Sequence, residues 1–341
     1  MNDEHILPVP APWKLKGTIY FLSFWTSKRN DELPTVAYSP LEATSSFASA
    51  VTSGQHIGGL SQIQIIRYTD SPVGAYDELI ICPGYFAYEK QDGKGIIKKL
   101  KNARITRIYV SQKNTCWNGR ASKLNLIMLG SMLDFISLRA WLQSSNIPKL
   151  VPDWNIPKHL ARFEWVHTAD GKTKVRVYPY DTAALSDDGY STISESEPSD
   201  NVFFQATFQP MRWAPSFPLS FSWLKYMGID ASLVQPPLPD GRQRDSSVGE
   251  ELPGTRQWCQ VLPGLSTRRA TLGWIDMSQS SYDVAHCSDG RDIKKGGNNE
   301  IKCANFWPGL RRWNMGILMQ NADINFEEGL HWDPPSPHVG A

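Results

Sequence analysis

Strand-like patterning dominates this chain. Residues 61–69 (SQIQIIRYT) alternate polar and apolar side chains over much of their length, the two-residue period of a half-buried strand. Residues 17–25 (GTIYFLSFW) are aromatic and rich in strand formers. Residues 77–82 read as a buried strand ended by Pro83-Gly84, and residues 104–111 (RITRIYVS) read similarly. Residues 162–167, 173–178 and 202–208 continue the series, and residues 271–277 extend it more weakly.

Helical spacing is rarer. Residues 40–51 suit a short helix with Ser39 as N-cap, Pro40 in the first turn and Glu42 completing a capping box, which would put Phe47 and Val51 on one face. Residues 124–142 are the strongest helix candidate, and residues 307–319 are another. Asp134 and Arg139 within 124–142 argue for an amphipathic or buried helix against a membrane span. Many short strands and few helices predict a mainly β, α+β fold, either a barrel or packed sheets, in a single domain over residues 1–330. Residues 181–200 are Ser-rich and acidic and read as a long solvated loop. Residues 234–255 carry Pro, Gly and charge throughout, as a plain connection or as a lid. Residues 331–341 read as a flexible Pro-rich tail.

Composition narrows the function classes. A chain of 341 residues can bury a large core, and thirteen Trp suit a wide core or a ligand cavity. A net charge of +1 argues against a general nucleic-acid binder, and the basic stretch at 90–107 reads as a solvated loop and strand edge. The polar, acidic N-terminus shows no secretory pattern. Five scattered cysteines show neither a disulfide framework nor zinc spacing, and His286, Cys287 and Cys303 are poorly spaced for a metal. The expectation is a cytoplasmic protein with no metal, no cofactor, no membrane partner and a small-molecule ligand.

The chemistry centres on residues 154–163 (WNIPKHLARF), where Lys158 follows Pro157 between apolar residues. A lysine in an apolar wall is a poorer cation and a better amine, which is what Schiff-base formation with a ketone requires. Residues 71–80 (SPVGAYDELI) resemble the V-G-x-Y-x-E-L segment of the acetoacetate decarboxylase family. Residues 103–111 resemble its following strand, and Asn118-Gly119-Arg120 followed by residues 154–161 resembles its G-R and W-G-x-P-K-K-L-A elements. The similarity covers residues 15–170 and is greatest to fungal members of unassigned role. It implies a central cone-shaped antiparallel β-barrel with a flanking sheet, an apolar cavity and assembly into homo-oligomers. It implies that Lys158 is the Schiff-base lysine and Glu78 the acid facing it, with His159 standing where the family has a second lysine. Arg120, Tyr76 and Trp154 are the candidate substrate-binding residues. The chain departs from the pattern at His159, at Asn155 (a glycine in the family), and in residues 121–153, an insertion relative to the family that reads either as a lid or as sequence the functional protein lacks, such as a mis-spliced exon boundary. The activity implied is a lyase that decarboxylates a β-keto acid or related 1,3-dicarbonyl through a lysine iminium. The alternative is a non-covalent cavity protein that binds, or guides the cyclisation of, a hydrophobic polyketide- or terpenoid-like metabolite.

Overall fold

The computed structural model describes residues 9–27, 33–120, 154–180, 182–185, 191–194, 197–228, 230–241, 252–279 and 305–334. In chain order the strands are β1 (Trp13–Thr26), β2 (Gln55–Asp70), β3 (Tyr76–Cys82), β4 (Tyr85–Gln91), β5 (Ile97–Ala103), β6 (Arg107–Val110), β7 (Lys158–His167), β8 (Thr173–Pro179), β9 (Thr182–Leu185), β10 (Ser191–Ser194), β11 (Phe204–Pro210), β12 (Phe217–Ser220), β13 (Leu233–Gln235), β14 (Trp258–Val261), β15 (Pro263–Asp276), β16 (Trp313–Phe326) and β17 (Leu330–Trp332). The helices are α1 (Pro40–Ala43), α2 (Ala50–Ser53) and α3 (Lys113–Arg120).

Hydrogen bonding runs β1-β16-β15-β11-β8-β7-β6-β3-β2 and returns to β1, so nine strands close into a barrel. The fold is mainly β with few helices, as the patterning predicts. The barrel is mixed, however: β6 and β7 run parallel. A parallel neighbour needs a crossover connection, and α3 lies on the path between those two strands. A second sheet, β4-β5-β13-β14-β17, branches from β2.

Alternation along the strands separates two cores. One receives side chains from all nine barrel strands, among them Tyr20, Ile65, Leu79, Tyr109, Val177 and Phe204, as the filled interior of a closed ring must. The opposite face of β1, β2, β3, β6 and β16 builds a second core with Ile19, Ile66, Ile80, Ile108 and Ile324, closed by Leu233 of β13 and Val261 of β14. The β1-β2-β3 wall therefore serves two compartments, which explains why β3 is buried along almost its whole length.

Several expectations change. Residues 40–51 form α1 and α2 with a turn between, so Phe47 is buried while Val51 is 95% exposed. Ser39 makes no capping hydrogen bond, and Glu42 turns into the protein interior. Residues 313–319 belong to β16, because Ile317 and Met319 pair with β1 and β15 in an alternating ladder. The acidic segment 181–200 contains the β9-β10 hairpin. The basic stretch 90–107 supplies β5, whose edge touches β13 only at Ala103. The helix expected at 124–142 and the insertion 121–153 lie outside the described residues.

Candidate active site

Glu78 and Lys158 come from strands that meet through β6. Ile80 stands opposite Ile108, and Ile108 stands opposite Lys158 in the parallel pair. The two-residue period then puts Glu78, Ile80, Ile108 and Lys158 on one face. The Lys158 Nζ lies 3.0 Å from Glu78 Oε2, with both side chains buried in the second compartment. Lys158 Nζ donates to Thr115 Oγ1 at 2.9 Å. Tyr68 OH donates to Glu78 Oε1 at 3.0 Å. Glu78 Oε2 accepts no aligned hydrogen bond among the described residues, so it is charge-paired with a lone pair still to offer.

Around this pair is a hollow of about 20 Å3 lined by Trp13, Tyr68, Tyr76, Ile105, Trp154 and Ile156, enough for one water. Tyr76 stands beside the pair: Lys158 Nζ is 5.4 Å from its ring centroid, and its ring packs 4.3 Å from that of Tyr68. Burial, reinforced by the Glu78 charge, pushes both phenols well above their ordinary pKa, which keeps them neutral donors. Trp154 is wall material. It packs edge-on to Trp13 at 5.3 Å, and its Nε1 donates to Glu327 O at 2.9 Å.

His159 and Arg120 sit elsewhere. Successive strand residues face opposite ways, so His159 points away from the Lys158 amine. Its Nε2 is 2.6 Å from Glu42 Oε2, and Arg120 Nη1 is 2.9 Å from Glu42 Oε1, with all three side chains fully buried. Arg120 also donates to Pro239 O at 3.0 Å, to Pro253 O at 3.3 Å and to the Lys158 carbonyl at 3.3 Å. Neither residue lines the hollow. The cluster pins both described ends of the 234–255 connection to the start of β7. Burial opposes ionisation of Glu42, but the charges and hydrogen bonds of His159 and Arg120 outweigh it and bring the carboxyl from 4.5 down to about 2.

Two motif positions gain a physical reason. A Cβ on Gly119 would stand 2.6 Å from Lys158 Cδ and 2.8 Å from Cε, so the glycine is the floor on which the lysine stem lies. Asn155 has φ +52°, a left-handed conformation that glycine or asparagine adopts most easily. Its Nδ2 donates to Pro236 O at 3.2 Å and to Gln257 O at 2.5 Å, contacts that a glycine could not make. Gly119→Ala is expected to displace the lysine stem and slow adduct formation at Lys158 roughly 10–100-fold, measured as the rate of reductive labelling. An unchanged rate would show that the stem has room to move.

Thr115 and Tyr68 were not singled out by the sequence, and Glu42 was singled out only as part of a capping box. The alternation that places Glu78 inward on β3 could have nominated Tyr68 on its neighbour β2, but Thr115 carries no sequence signal and the signal at Glu42 points to a helix start. The chain on either side of residues 121–153 is joined directly, since Ile156 N donates to Gly119 O at 3.1 Å. Replacing residues 121–153 by a short Gly-Ser linker is therefore expected to leave folding and Lys158 labelling intact. Loss of labelling in a folded, shortened chain would assign the insertion a part in the site.

Among the described residues no three His, Cys, Asp or Glu side chains gather to hold a metal. His286, Cys287 and Cys303 lie outside the described residues, and Cys82, Cys116 and Cys259 are buried. Among the described residues no helix is long and apolar enough to cross a membrane. Compared with known proteins, the chain matches no family model and no curated protein.

Proposed function

We propose that this protein is a Schiff-base lyase acting on a β-keto acid or related 1,3-dicarbonyl. The observation that carries the reading is a lysine amine 5% exposed, 3.0 Å from a buried carboxylate, at the edge of an apolar hollow. Buried titratable pairs in a cleft are candidate catalytic groups.

In this reading the steps are these. The Lys158 ammonium gives a proton to Glu78, and the freed amine attacks the substrate carbonyl. A C–N bond forms, the carbonyl oxygen leaves as water with two protons, and an iminium remains. The iminium accepts the electron pair of the breaking C–C bond, so CO2 departs and an enamine forms. The proton that Glu78 took from Lys158 leaves with that water, so Glu78 takes a fresh proton from solvent and delivers it to the enamine carbon, and water hydrolyses the resulting iminium to release the ketone and the Lys158 amine. Thr115 holds the amine, Tyr68 orients Glu78, and Tyr76 forms the wall beside the cation. No cofactor is needed for this chemistry. A cytoplasmic setting with reduced thiols and a homo-oligomeric assembly belong to the same reading.

The test is reductive trapping. Acetylacetone or a panel of β-keto acids, with cyanoborohydride, is expected to leave one adduct, mapped by peptide mass spectrometry to Lys158. Absence of any adduct with every carbonyl compound would remove the covalent mechanism and leave the non-covalent cavity protein or a structural or interaction protein with a degenerate site.

A further inference from the structure

The hollow beside Lys158 shares Tyr68, Ile80, Ile105 and Phe326 with a larger chamber of about 100 Å3. The Lys158 site does not use that chamber, and its wall is read most easily along β2. Leu60, Gln62, Gln64, Ile66 and Tyr68 face it in succession, as the two-residue period requires. Within this apolar lining the two glutamines are a polar interruption. Gln64 Nε2 donates to Gln62 Oε1 at 3.0 Å. That bond uses one group of each amide and leaves the Gln62 N–H donors and the Gln64 carbonyl oxygen without a further partner among the described residues. Both side chains are only partly buried, consistent with facing open space.

Register measures how far the glutamines lie from the chemistry. Ile66 stands opposite Glu78, Gln64 opposite Ile80 and Gln62 opposite Cys82. The amides therefore lie one and two pleats from the level of Glu78, roughly 7 and 14 Å.

Charge excludes one class of ligand. Lys158 is the sole Lys or Arg lining either space among the described residues. Two carboxylates line the spaces: Glu78 beside the amine, and exposed Asp230 in the wall of the chamber. Asp230 is held as an anion by Asn102 Nδ2 at 2.8 Å and by the Ser232 backbone N–H at 2.8 Å. A carboxylate on a ligand's far end would lose its hydration and meet amides and apolar walls in place of a cation.

We infer that the chamber selects an extended carbonyl compound whose end remote from the ketone is uncharged, its ketone at Lys158 and a hydroxyl or carbonyl oxygen against the Gln62–Gln64 pair. This rests on the Schiff-base reading and names the substrate class for it: an apolar chain with a distal neutral oxygen.

The experiment uses straight-chain methyl ketones long enough to span Lys158 to the glutamines, ending in hydroxyl, methyl or carboxylate, with acetylacetone as a short reference. Trapping forms a C–N bond at Lys158 Nζ, releases the carbonyl oxygen as water, and moves hydride from cyanoborohydride to the former carbonyl carbon. Labelling is read by intact mass against ketone concentration. The hydroxyl-ended ketone is expected to label at the lowest concentration and the carboxylate-ended one at the highest. Gln64→Leu and Gln62→Leu should cut the preference for hydroxyl over methyl by roughly two- to tenfold, one hydrogen bond's worth, while acetylacetone labels as before. If the carboxylate-ended ketone labels as well as the hydroxyl-ended one, or the preference survives both substitutions, the chamber assignment is overturned and the amine chemistry stands. If acetylacetone itself leaves Lys158 unlabelled, the Schiff-base reading fails and takes the inference with it.

Discussion

Lys158→Met is expected to abolish reductive labelling and also to destabilise the fold by about 3–5 kcal/mol, because Glu78 is left as a buried carboxylate without its counter-ion. The second effect obscures the first, since an unfolded variant labels nowhere in particular. The double variant Lys158→Met with Glu78→Gln separates them. It removes the charge along with its partner, and a buried ion pair replaced as a unit is often close to neutral in stability. Glutamine can still accept from Tyr68 OH, which keeps that hydrogen bond. The double variant is thus expected to recover most of the denaturant midpoint and none of the adduct. Recovery of stability without loss of labelling would place the reactive amine on another lysine. Glu78→Gln alone is expected to keep Lys158 in place through Thr115 but to slow labelling, because no carboxylate takes the proton from the amine.

The second large effect belongs to Glu42. Glu42→Ala leaves Arg120 and His159 buried without their shared carboxylate, a loss of about 3–5 kcal/mol by the same reasoning. The wild-type cluster also makes stability depend on pH. The carboxyl sits at about 2 in the fold against an ordinary 4.5, so the unfolded chain binds the proton more readily. Its contribution, on the order of 3 kcal/mol, is therefore complete above 4.5 and fades as pH falls towards 2. Denaturant unfolding across that interval should show the decline in the wild type and a flatter limb in Glu42→Gln. Equal slopes in the two proteins would mean that another group governs acid stability. Loss of the cluster should also loosen the connection at 234–255, since Arg120 holds Pro239 O and Pro253 O.

His159 illustrates how sequence and structure diverge. In the chain it adjoins Lys158, which invites a shared electrostatic role. In the fold the strand's alternation turns the two side chains into different compartments, and His159 serves Glu42. Arg120 likewise lies close in the motif but is spent on buried carbonyls and a carboxylate. Glu42 had the look of a helix cap, because local pattern cannot tell a capping glutamate from one recruited by an arginine 78 residues away. Residues 313–319 were ambiguous for a related reason: a short apolar run supports helix or strand until its neighbours are known.

By itself the sequence determined that the chain is built of strands with alternating faces, that Lys158 lies in an apolar setting after a proline, and that Glu78 shares a β-strand with an apolar core. These are local properties, set by side-chain period and by the residues on either side. The tertiary structure alone decided that β6 and β7 run parallel, that Glu78 meets Lys158 directly with Tyr68 and Thr115 beside them, and that Gln62 and Gln64 look into the adjoining chamber. Those outcomes depend on register and ring closure between distant strands, where one residue of slip would send every side chain to the other compartment.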